Sequence, residues 1–507
     1  MSSLEKTANR ENSKDTNLGL HAMRNTFTVF VLLVFIGFPG ELRRVIGSGI
    51  GKILEYVAFA IEFVLVMFSS GNNVMEIKLI NLRAAFVMPY LYAAYVTVDS
   101  LIVTVSTKTV IMTIIHMVLT MMFAFWLIEQ FELEEMMTVF YYAQFLYIMV
   151  CLACVVVFPH IAFYNYHGSR TFRGLFLTKN ECGTELSFGI LTQCILLRKY
   201  KAQEKPISLV FLLVFVIQFG LMLMTKNMGA LIITMGYIAY MFYYSMQQNR
   251  KKKKRLPLGL LFVIVTIGFL FIALTVLQAL GPFLESLGKD ASLTGRVPLW
   301  ERVIAVMQES HTMTGYGLEM FWKTPKAVEH FHAGFAENTW AATSSASTHN
   351  MIMELWCNIG LIGVSLYFLI FLAADRGIKY LDDDSYLFCS SYIVLFTIRS
   401  LTERQSDPSS VYWLLSMVSL GKEYYARWKY KQDSMKKARI YVPEGGGVKV
   451  ETSAAIPDWG AFQKNYSIAA DVRRPVRSET VQKRVTQEMH SEEDKKLERL
   501  LEDFYVD

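Results

Sequence analysis

Long apolar stretches recur along the whole of this 507-residue chain, and they limit its possible folds more than any other feature. About 20 consecutive apolar residues are enough for a helix to cross a bilayer. Stretches that we interpret as membrane spans begin near Thr26, Ile53, Ala84, Thr109, Met136, Cys182, Ile207, Met228, Leu258, Met351, Ser385 and Val411. The pattern therefore predicts an all-α integral membrane protein with about 12 transmembrane helices and a large extracytoplasmic loop.

The composition excludes several other classes of protein. Hydrophobic residues make up 53% of the chain and charged residues 19%, with a mean hydropathy of +0.32. A soluble domain has about a quarter of its residues charged, so a soluble enzyme, a disordered scaffold and a single-anchor receptor are all excluded. The six cysteines show neither a pairing pattern nor the spacing of a zinc site. The polar start of the chain lacks a cleavage motif, so no cleaved signal peptide is expected.

Basic residues in the short connections predict the orientation. They cluster at 198–205 and 250–255, between the sixth and seventh and between the eighth and ninth predicted spans. Both clusters lie on the cytoplasmic side if the two termini are cytoplasmic. A basic run can also bind nucleic acid, but its position between two apolar spans favours topology over that alternative, and no nucleic-acid partner is expected.

Three segments follow from this orientation. Residues 1–25 are a cytoplasmic N-terminal segment, and residues 26–425 are a polytopic membrane domain with outer loops at 159–181 and 281–350. Residues 426–507 are a charged cytoplasmic tail, in which apolar residues recur with helical spacing near the end. This spacing predicts an amphipathic helix at the end of the tail. The helix is expected to lie on the membrane surface or to self-associate; docking of a cytoplasmic partner is the alternative.

Arg296 is a candidate anion-binding residue. Pro298 suits the first turn of a helix, and apolar residues with helical spacing follow it, so Arg296 lies at a predicted helix N-terminus. A guanidinium beside unpaired backbone N–H groups favours an anion, with phosphate as the natural ligand. The alternative is an ordinary ion pair with a nearby carboxylate such as Glu301.

His349 is a candidate general base. It lies two residues before the span that begins at Met351, at the predicted boundary between membrane and water. Partial desolvation there would favour the neutral imidazole, which can accept a proton. The alternative is an ordinary interfacial histidine. The neighbouring Asn350 could cap the helix.

Further charged residues are predicted to gather at the outer face. They come from separate parts of the chain and comprise Arg170, Arg173, Lys179, Lys226, Arg399, Glu403 and Arg404. Cations beside hydrocarbon are costly unless they are paired or face water, so a site for a multiply charged anion is favoured over lipid-headgroup anchors. A metal site built from His330, His332 and Glu337 is only weakly indicated, and neither a metal nor a cofactor is predicted.

Two sets of motifs resemble the O-antigen ligase and polysaccharide polymerase family, over about residues 170–420. The first set comprises Thr294-Gly295-Arg296 with Trp300, Gly315-Tyr316-Gly317, His349-Asn350 with Glu354, and Gly360-Leu361-Ile362-Gly363. The second comprises Arg173-Gly174-Leu175-Phe176 with Lys179-Asn180 and Gly183. The motifs are short, but their order, spacing and predicted outer-face location agree. Thr225 stands where the family usually has serine before its cation, a mild departure.

The resemblance implies a metal-independent membrane glycosyltransferase with a GT-C-type bundle in the bacterial cytoplasmic (inner) membrane, acting on its outer face. Its substrate would be an oligosaccharide linked to undecaprenyl diphosphate, and its other partners membrane lipids, a chain-length regulator and a flippase. Arg296 would bind the diphosphate and His349 would activate the acceptor hydroxyl. Diphosphate-binding cations would be Arg173, Lys179, Lys226 and Arg404; supporting residues would be Asn180, Asn350, Glu354 and Glu403.

Polymerisation of repeat units into exopolysaccharide, capsule or O-antigen is the predicted function, favoured by the form of the second motif set. A ligase that transfers the polysaccharide to another lipid or to protein would use the same residues with a different acceptor. A lipid-linked sugar flippase is less favoured, because the charged groups lie at the outer boundary rather than near the membrane midplane.

Overall fold

Helices make up most of the part of the chain that the computed structural model describes. These residues are 19, 21–37, 47–69, 76–77, 86–103, 106–166, 169–176, 178–246, 255–276, 296–325, 327, 329, 347–403 and 410–440. The α-helices are α1 (His21–Phe35), α2 (Ser48–Met67), α3 (Val87–Val103), α4 (Thr107–Gln130), α5 (Leu133–Val157), α6 (Pro159–Ala162), α7 (Lys179–Ala202), α8 (Leu209–Met224), α9 (Met228–Met246), α10 (Leu258–Phe271), α11 (Arg296–Glu309), α12 (Met351–Ala374), α13 (Asp383–Thr402) and α14 (Val411–Ile440).

Short elements connect the helices. The described residues include two antiparallel hairpins, β1 (Phe68–Ser69) with β2 (Glu76–Ile77) and β3 (Phe163–Tyr166) with β4 (Ser169–Phe172). A π-helical segment, Ile272–Val276, continues α10, and 3₁₀ helices occupy Phe321–Lys323 and Asp375–Tyr380. In β3–β4, Phe163 pairs with Phe172.

The protein is a multi-pass membrane protein. Five described helical stretches, including α4, α5 and α9, are long and apolar enough to span a membrane, and α1, α3 and α8 are shorter apolar helices. A helix lies at each of the twelve positions where the sequence predicts a span. Length and composition select only five of them, so the number of spans and the GT-C-type bundle remain predictions.

Helix α7 lies at the centre of the described bundle. It packs against α5, α8, α9 and α13, while α12 packs against α3, α10 and α13. A capping box fixes the start of α7. In it, the Thr178 hydroxyl accepts the backbone N–H of Glu181, and the Glu181 carboxylate accepts the N–H of Thr178. The first turn of α7, which carries two of the predicted site residues, is therefore held in place.

The two ends of α13 have different partners. At its start, Arg198 Nε lies 3.0 Å from Asp384 Oδ1 and Arg255 Nη2 lies 3.1 Å from Asp383 Oδ1. Both arginines belong to the basic clusters that the sequence assigns to the cytoplasmic side. A helix of this length is about 30 Å long, which is the thickness of the hydrocarbon core. The far end of α13, at Glu403, is therefore about one membrane thickness from these basic residues.

A break at Gly360 divides α12. Gly360 has φ +64°, in the left-handed region that favours glycine. The backbone groups freed by this break bond to the loop that follows α11: the Tyr316 N–H donates to the Cys357 carbonyl at 2.9 Å, and the Leu361 N–H donates to the Thr312 carbonyl at 3.0 Å. The loop and the helix therefore satisfy each other's backbone groups.

An apolar cluster holds α11 against the membrane bundle. Its buried members are Ala273, Leu299, Trp300, Val303, Val306, Met307, Tyr316, Phe321, Ala327, Met353 and Cys357. They come from the π-helical segment that continues α10, from α11, from the loop that follows α11, and from α12. Because the apolar face of α11 is buried in this cluster, Arg296, the first residue of α11, lies near the start of α12.

Candidate active site

Glu403, at the end of α13, is the centre of the candidate site. Its Oε2 lies 3.3 Å from Nδ1 of His349, and its Oε1 accepts a hydrogen bond from Asn180 Nδ2 at 3.3 Å. Arg296 Nη2 and Arg399 Nη1 lie 3.9 and 3.8 Å from the same Oε1. Four separate segments of the chain therefore meet at one carboxylate.

The environment of Glu403 keeps its carboxylate ionised. Burial of the side chain by itself would raise the pKa, but the hydrogen bond with His349 and the charges of Arg399, His349 and Arg296 outweigh it, so the pKa lies below its usual value. One anion thus faces two permanent cations, and the group has a net positive charge even with a neutral imidazole. Such a group suits a multiply charged anion.

His349 is positioned by its backbone as well as by its ring contact. Its φ of +49° is uncommon for a residue other than glycine. Because an ionised carboxylate only accepts hydrogen bonds, the contact with Glu403 assigns the proton of a neutral imidazole to Nδ1. The lone pair is then on Nε2, and about a third of the side chain is exposed. This is the form of histidine that a general base requires.

Asn350 connects the start of α12 to the end of α13. Its Oδ1 accepts the backbone N–H of Met353 at 3.0 Å, so it is the N-cap of α12, as the sequence predicts. Its Nδ2 donates to the carbonyl of Leu401 at 3.1 Å, near the end of α13. These bonds fix the distance between His349 and Glu403.

Glu354 is buried, and both of its carboxylate oxygens accept hydrogen bonds. Oε2 accepts the Thr348 N–H and Oε1 accepts the Trp322 Nε1–H, each at 2.9 Å. Trp300 Nε1 donates to the Thr348 carbonyl at 2.7 Å. Glu354 therefore supports the segment that carries His349.

The turn between α8 and α9 contacts the first turn of α7. Asn227 Nδ2 donates to the Asn180 carbonyl at 3.1 Å. Gly183 permits this approach, because a Cβ there would lie 2.9 Å from the Asn227 side chain. Lys226, exposed with φ +52°, and Lys179, the first residue of α7, are therefore brought to the same end of the bundle as Glu403.

Arg173 directly follows the β3–β4 hairpin. Its Nε donates to the Ile161 carbonyl at 3.0 Å, and its guanidinium lies 5.1 Å from the centre of the Tyr164 ring. Arg170 likewise lies over Phe163, at 4.4 Å. A diphosphate-binding role for Arg173 remains a prediction.

Some predicted residues lie outside the described part of the chain, namely Arg404, His330, His332 and Glu337. Among the residues that the structure describes, no group of three or more His, Cys, Asp or Glu side chains could hold a metal ion.

The sequence does not predict several contacts of the site. It places Arg399 in the outer-face cluster but does not pair it with Glu403, although a position four residues earlier on the same helix is a recognisable signal. Asn227, Thr348 and Trp322 gave no such signal, because their partners are distant in sequence.

One comparison with known proteins identifies a domain. Residues 211–368 match the family model described as O-antigen ligase. The matched range contains Lys226, Arg296, His349 and Glu354, and it confirms the recognition made from the motifs. The match supports an activity of the O-antigen ligase or polymerase type, acting on a lipid-linked polysaccharide. No match to a curated protein was found.

Proposed function

We propose that this chain, with its O-antigen ligase domain at residues 211–368, polymerises undecaprenyl-diphosphate-linked oligosaccharide repeat units on the outer face of the bacterial cytoplasmic membrane. The product would be an exopolysaccharide, a capsule or an O-antigen. The observation that supports the proposal most directly is the contact of His349 with Glu403 beside Arg296 and Arg399. It combines a candidate base with fixed cations, which are the two components that glycosyl transfer from a lipid diphosphate requires.

His349 is the proposed base. The hydroxyl of the acceptor repeat unit gives its proton to Nε2 as the oxygen bonds to the anomeric carbon of the donor chain. The bond from that carbon to the diphosphate oxygen breaks, and undecaprenyl diphosphate leaves with the electron pair. Glu403 keeps the imidazole oriented and stabilises the imidazolium that forms, so it serves as a positioning residue.

Arg296 and Arg399 are the proposed ligands of the diphosphate. Negative charge grows on the leaving oxygen in the transition state, and fixed cations at that point lower the barrier. A guanidinium has five N–H donors, so an approach of 3.9 Å to Glu403 is compatible with diphosphate binding. Arg399 Nε is buried without a hydrogen-bond partner among the described residues, and a phosphate oxygen would satisfy it. Lys179 and Lys226 would extend the cationic surface.

The proposal has a direct test. The purified protein is incubated with a lipid-linked repeat unit, and the products are separated on a gel and weighed by mass spectrometry. His349→Gln, purified in parallel, is the matched inactive control. A ladder of lengths that is absent from the control supports a polymerase.

Other outcomes would contradict the proposal in different ways. A single transfer to an added foreign acceptor, without a ladder, would indicate a ligase. Movement of the lipid across vesicle membranes without a covalent product would indicate a flippase. Equal products from the wild type and His349→Gln would remove His349 from the mechanism.

A further inference from the structure

The residue that precedes His349 is held at both of its backbone groups. The N–H of Thr348 donates to Glu354 Oε2 at 2.9 Å, and its carbonyl accepts Trp300 Nε1–H at 2.7 Å. The Thr348 hydroxyl donates to the Asn350 carbonyl at 2.7 Å, on the other side of His349. All three bonds are buried.

A second tryptophan completes this arrangement. Trp322, in the 3₁₀ helix of the outer loop, donates Nε1–H to Glu354 Oε1 at 2.9 Å. Glu354 is thus held by Trp322 while it holds Thr348. The two tryptophans belong to separate parts of the chain, α11 and the segment after it. Trp300 bonds directly to the backbone of Thr348, and Trp322 acts on it through Glu354.

From this geometry we infer that Trp300, Trp322 and Glu354 are positioning residues that hold the backbone of His349 in its left-handed conformation and its imidazole against Glu403. A φ of +49° costs conformational energy in a residue with a Cβ and persists only when its surroundings enforce it. The contact with Glu403 is long, at 3.3 Å, so a small rotation of the backbone would break it. The inference rests on the proposed function for its catalytic consequence.

The chain contains a matched control for this inference. Trp356 donates Nε1–H to the Thr312 carbonyl at 3.0 Å, also between α12 and the outer loop. This bond does not involve the segment 347–350. Replacing Trp300, Trp322 or Trp356 with Phe removes one indole N–H bond in each case and retains an aromatic ring.

The first measurement separates kcat from KM in the transfer assay. Trp300→Phe and Trp322→Phe should each lower kcat roughly tenfold, the effect of losing about one hydrogen bond, with KM for the lipid-linked donor unchanged. Trp356→Phe should retain the wild-type kcat. Equal losses of kcat in all three variants, or a loss that appears in KM alone, would show that the tryptophans only stabilise the loop.

The second measurement does not depend on activity. Diethyl pyrocarbonate modifies accessible imidazoles, and mass spectrometry gives the rate at His349. This rate should change severalfold in Trp300→Phe and Trp322→Phe, because the ring loses the contact with Glu403 that fixes its exposure and keeps its proton on Nδ1, and it should be unchanged in Trp356→Phe. Unchanged rates in the first two variants would overturn the inference. Changed rates in a protein without transfer activity would leave the positioning intact and contradict the proposed function instead.

Discussion

Glu403 and His349 are separated by 54 positions in the sequence, yet Oε2 of one lies 3.3 Å from Nδ1 of the other. The contact exists because α12 begins and α13 ends at the same level of the bundle, where Asn350 bonds to Leu401. A carboxylate that stays ionised beside a histidine determines which ring nitrogen carries the proton. The relationship therefore connects the packing of two helices to the chemistry of the site.

The lowered pKa of Glu403 predicts a pH dependence of stability. A carboxyl whose pKa is lower in the folded than in the unfolded state stabilises the fold above the unfolded value, about 4.3, and this contribution is lost as the pH falls through the folded value. We expect the difference in melting temperature between wild type and Glu403→Gln to be constant near neutral pH and to shrink below about pH 4. Glu204→Gln, at an exposed position after α7, is the control. A constant difference down to pH 3 would contradict the ionised carboxylate.

Replacement of the proposed base should abolish transfer without unfolding the protein. We expect His349→Gln to lose roughly 100- to 10,000-fold in turnover, the usual contribution of a general base. Binding of the lipid diphosphate should persist, because Arg296 and Arg399 are unchanged. Wild-type activity should fall in acid, since a protonated imidazole cannot accept a proton, and the residual activity of the variant should lack this acidic limb.

The control for this experiment is His160→Gln, at an exposed histidine on α6. It should behave as wild type. Substantial turnover by His349→Gln with an unchanged acidic limb would reduce His349 to a structural neighbour and make Glu403 the better candidate for the base.

Arg296 should be needed for its shape as well as its charge. Loss of one oriented donor at a developing anion costs about 3 to 4 kcal/mol, or a few hundredfold in rate. We therefore expect Arg296→Ala to abolish detectable polymer and Arg296→Lys to retain little, since a point charge does not replace a planar group with paired donors. Arg302→Ala, on the same helix, serves as the control. Normal polymer from Arg296→Ala at matched protein level would refute the diphosphate role.

The sequence predicts the helices well because the signals that determine where a helix begins and ends are local in the sequence. Apolar runs of sufficient length, and caps such as Asn350 before Met351, act within a few residues. The residues that meet at the site are also largely predictable by type, since isolated charges at span ends are costly unless they have a function.

The contacts between the residues of the site are not predictable in the same way. Arg296 had a local candidate partner in Glu301, but the structure places it 3.9 Å from Glu403. Asn180 bonds to a residue 223 positions away. Such pairs depend on how the helices pack, which no local pattern records. The support of Thr348 by Trp300 is hidden for the same reason.

The break in α12 should make Gly360 intolerant of any side chain. A Cβ at Gly360 would lie 2.1 Å from the carbonyl oxygen of Met313, and the φ of +64° is itself unfavourable for other residues. We expect Gly360→Ala to destabilise the protein by at least about 2 kcal/mol, measured as a lower melting temperature in detergent. Gly268→Ala, in α10 with open space around it, should be neutral or slightly stabilising. Equal effects of the two changes would contradict the contact between the loop and α12.

The orientation of the bundle gives the last prediction. Arg198 and Arg255 lie at one end of α13 and the His349 site at the other, and basic residues favour the cytoplasmic side. Two exposed lysines are therefore expected on opposite sides of the membrane: Lys323, in the loop after α11, and Lys201, near the end of α7.

Labelling of single cysteines tests this orientation. In a background without cysteines, Lys323→Cys should react with an impermeant maleimide from outside the membrane. Lys201→Cys should react only after the membrane is permeabilised. The reverse pattern would place the site in the cytoplasm and contradict extracytoplasmic polymerisation, while labelling of both from outside would show that the two ends of α13 are not on opposite sides.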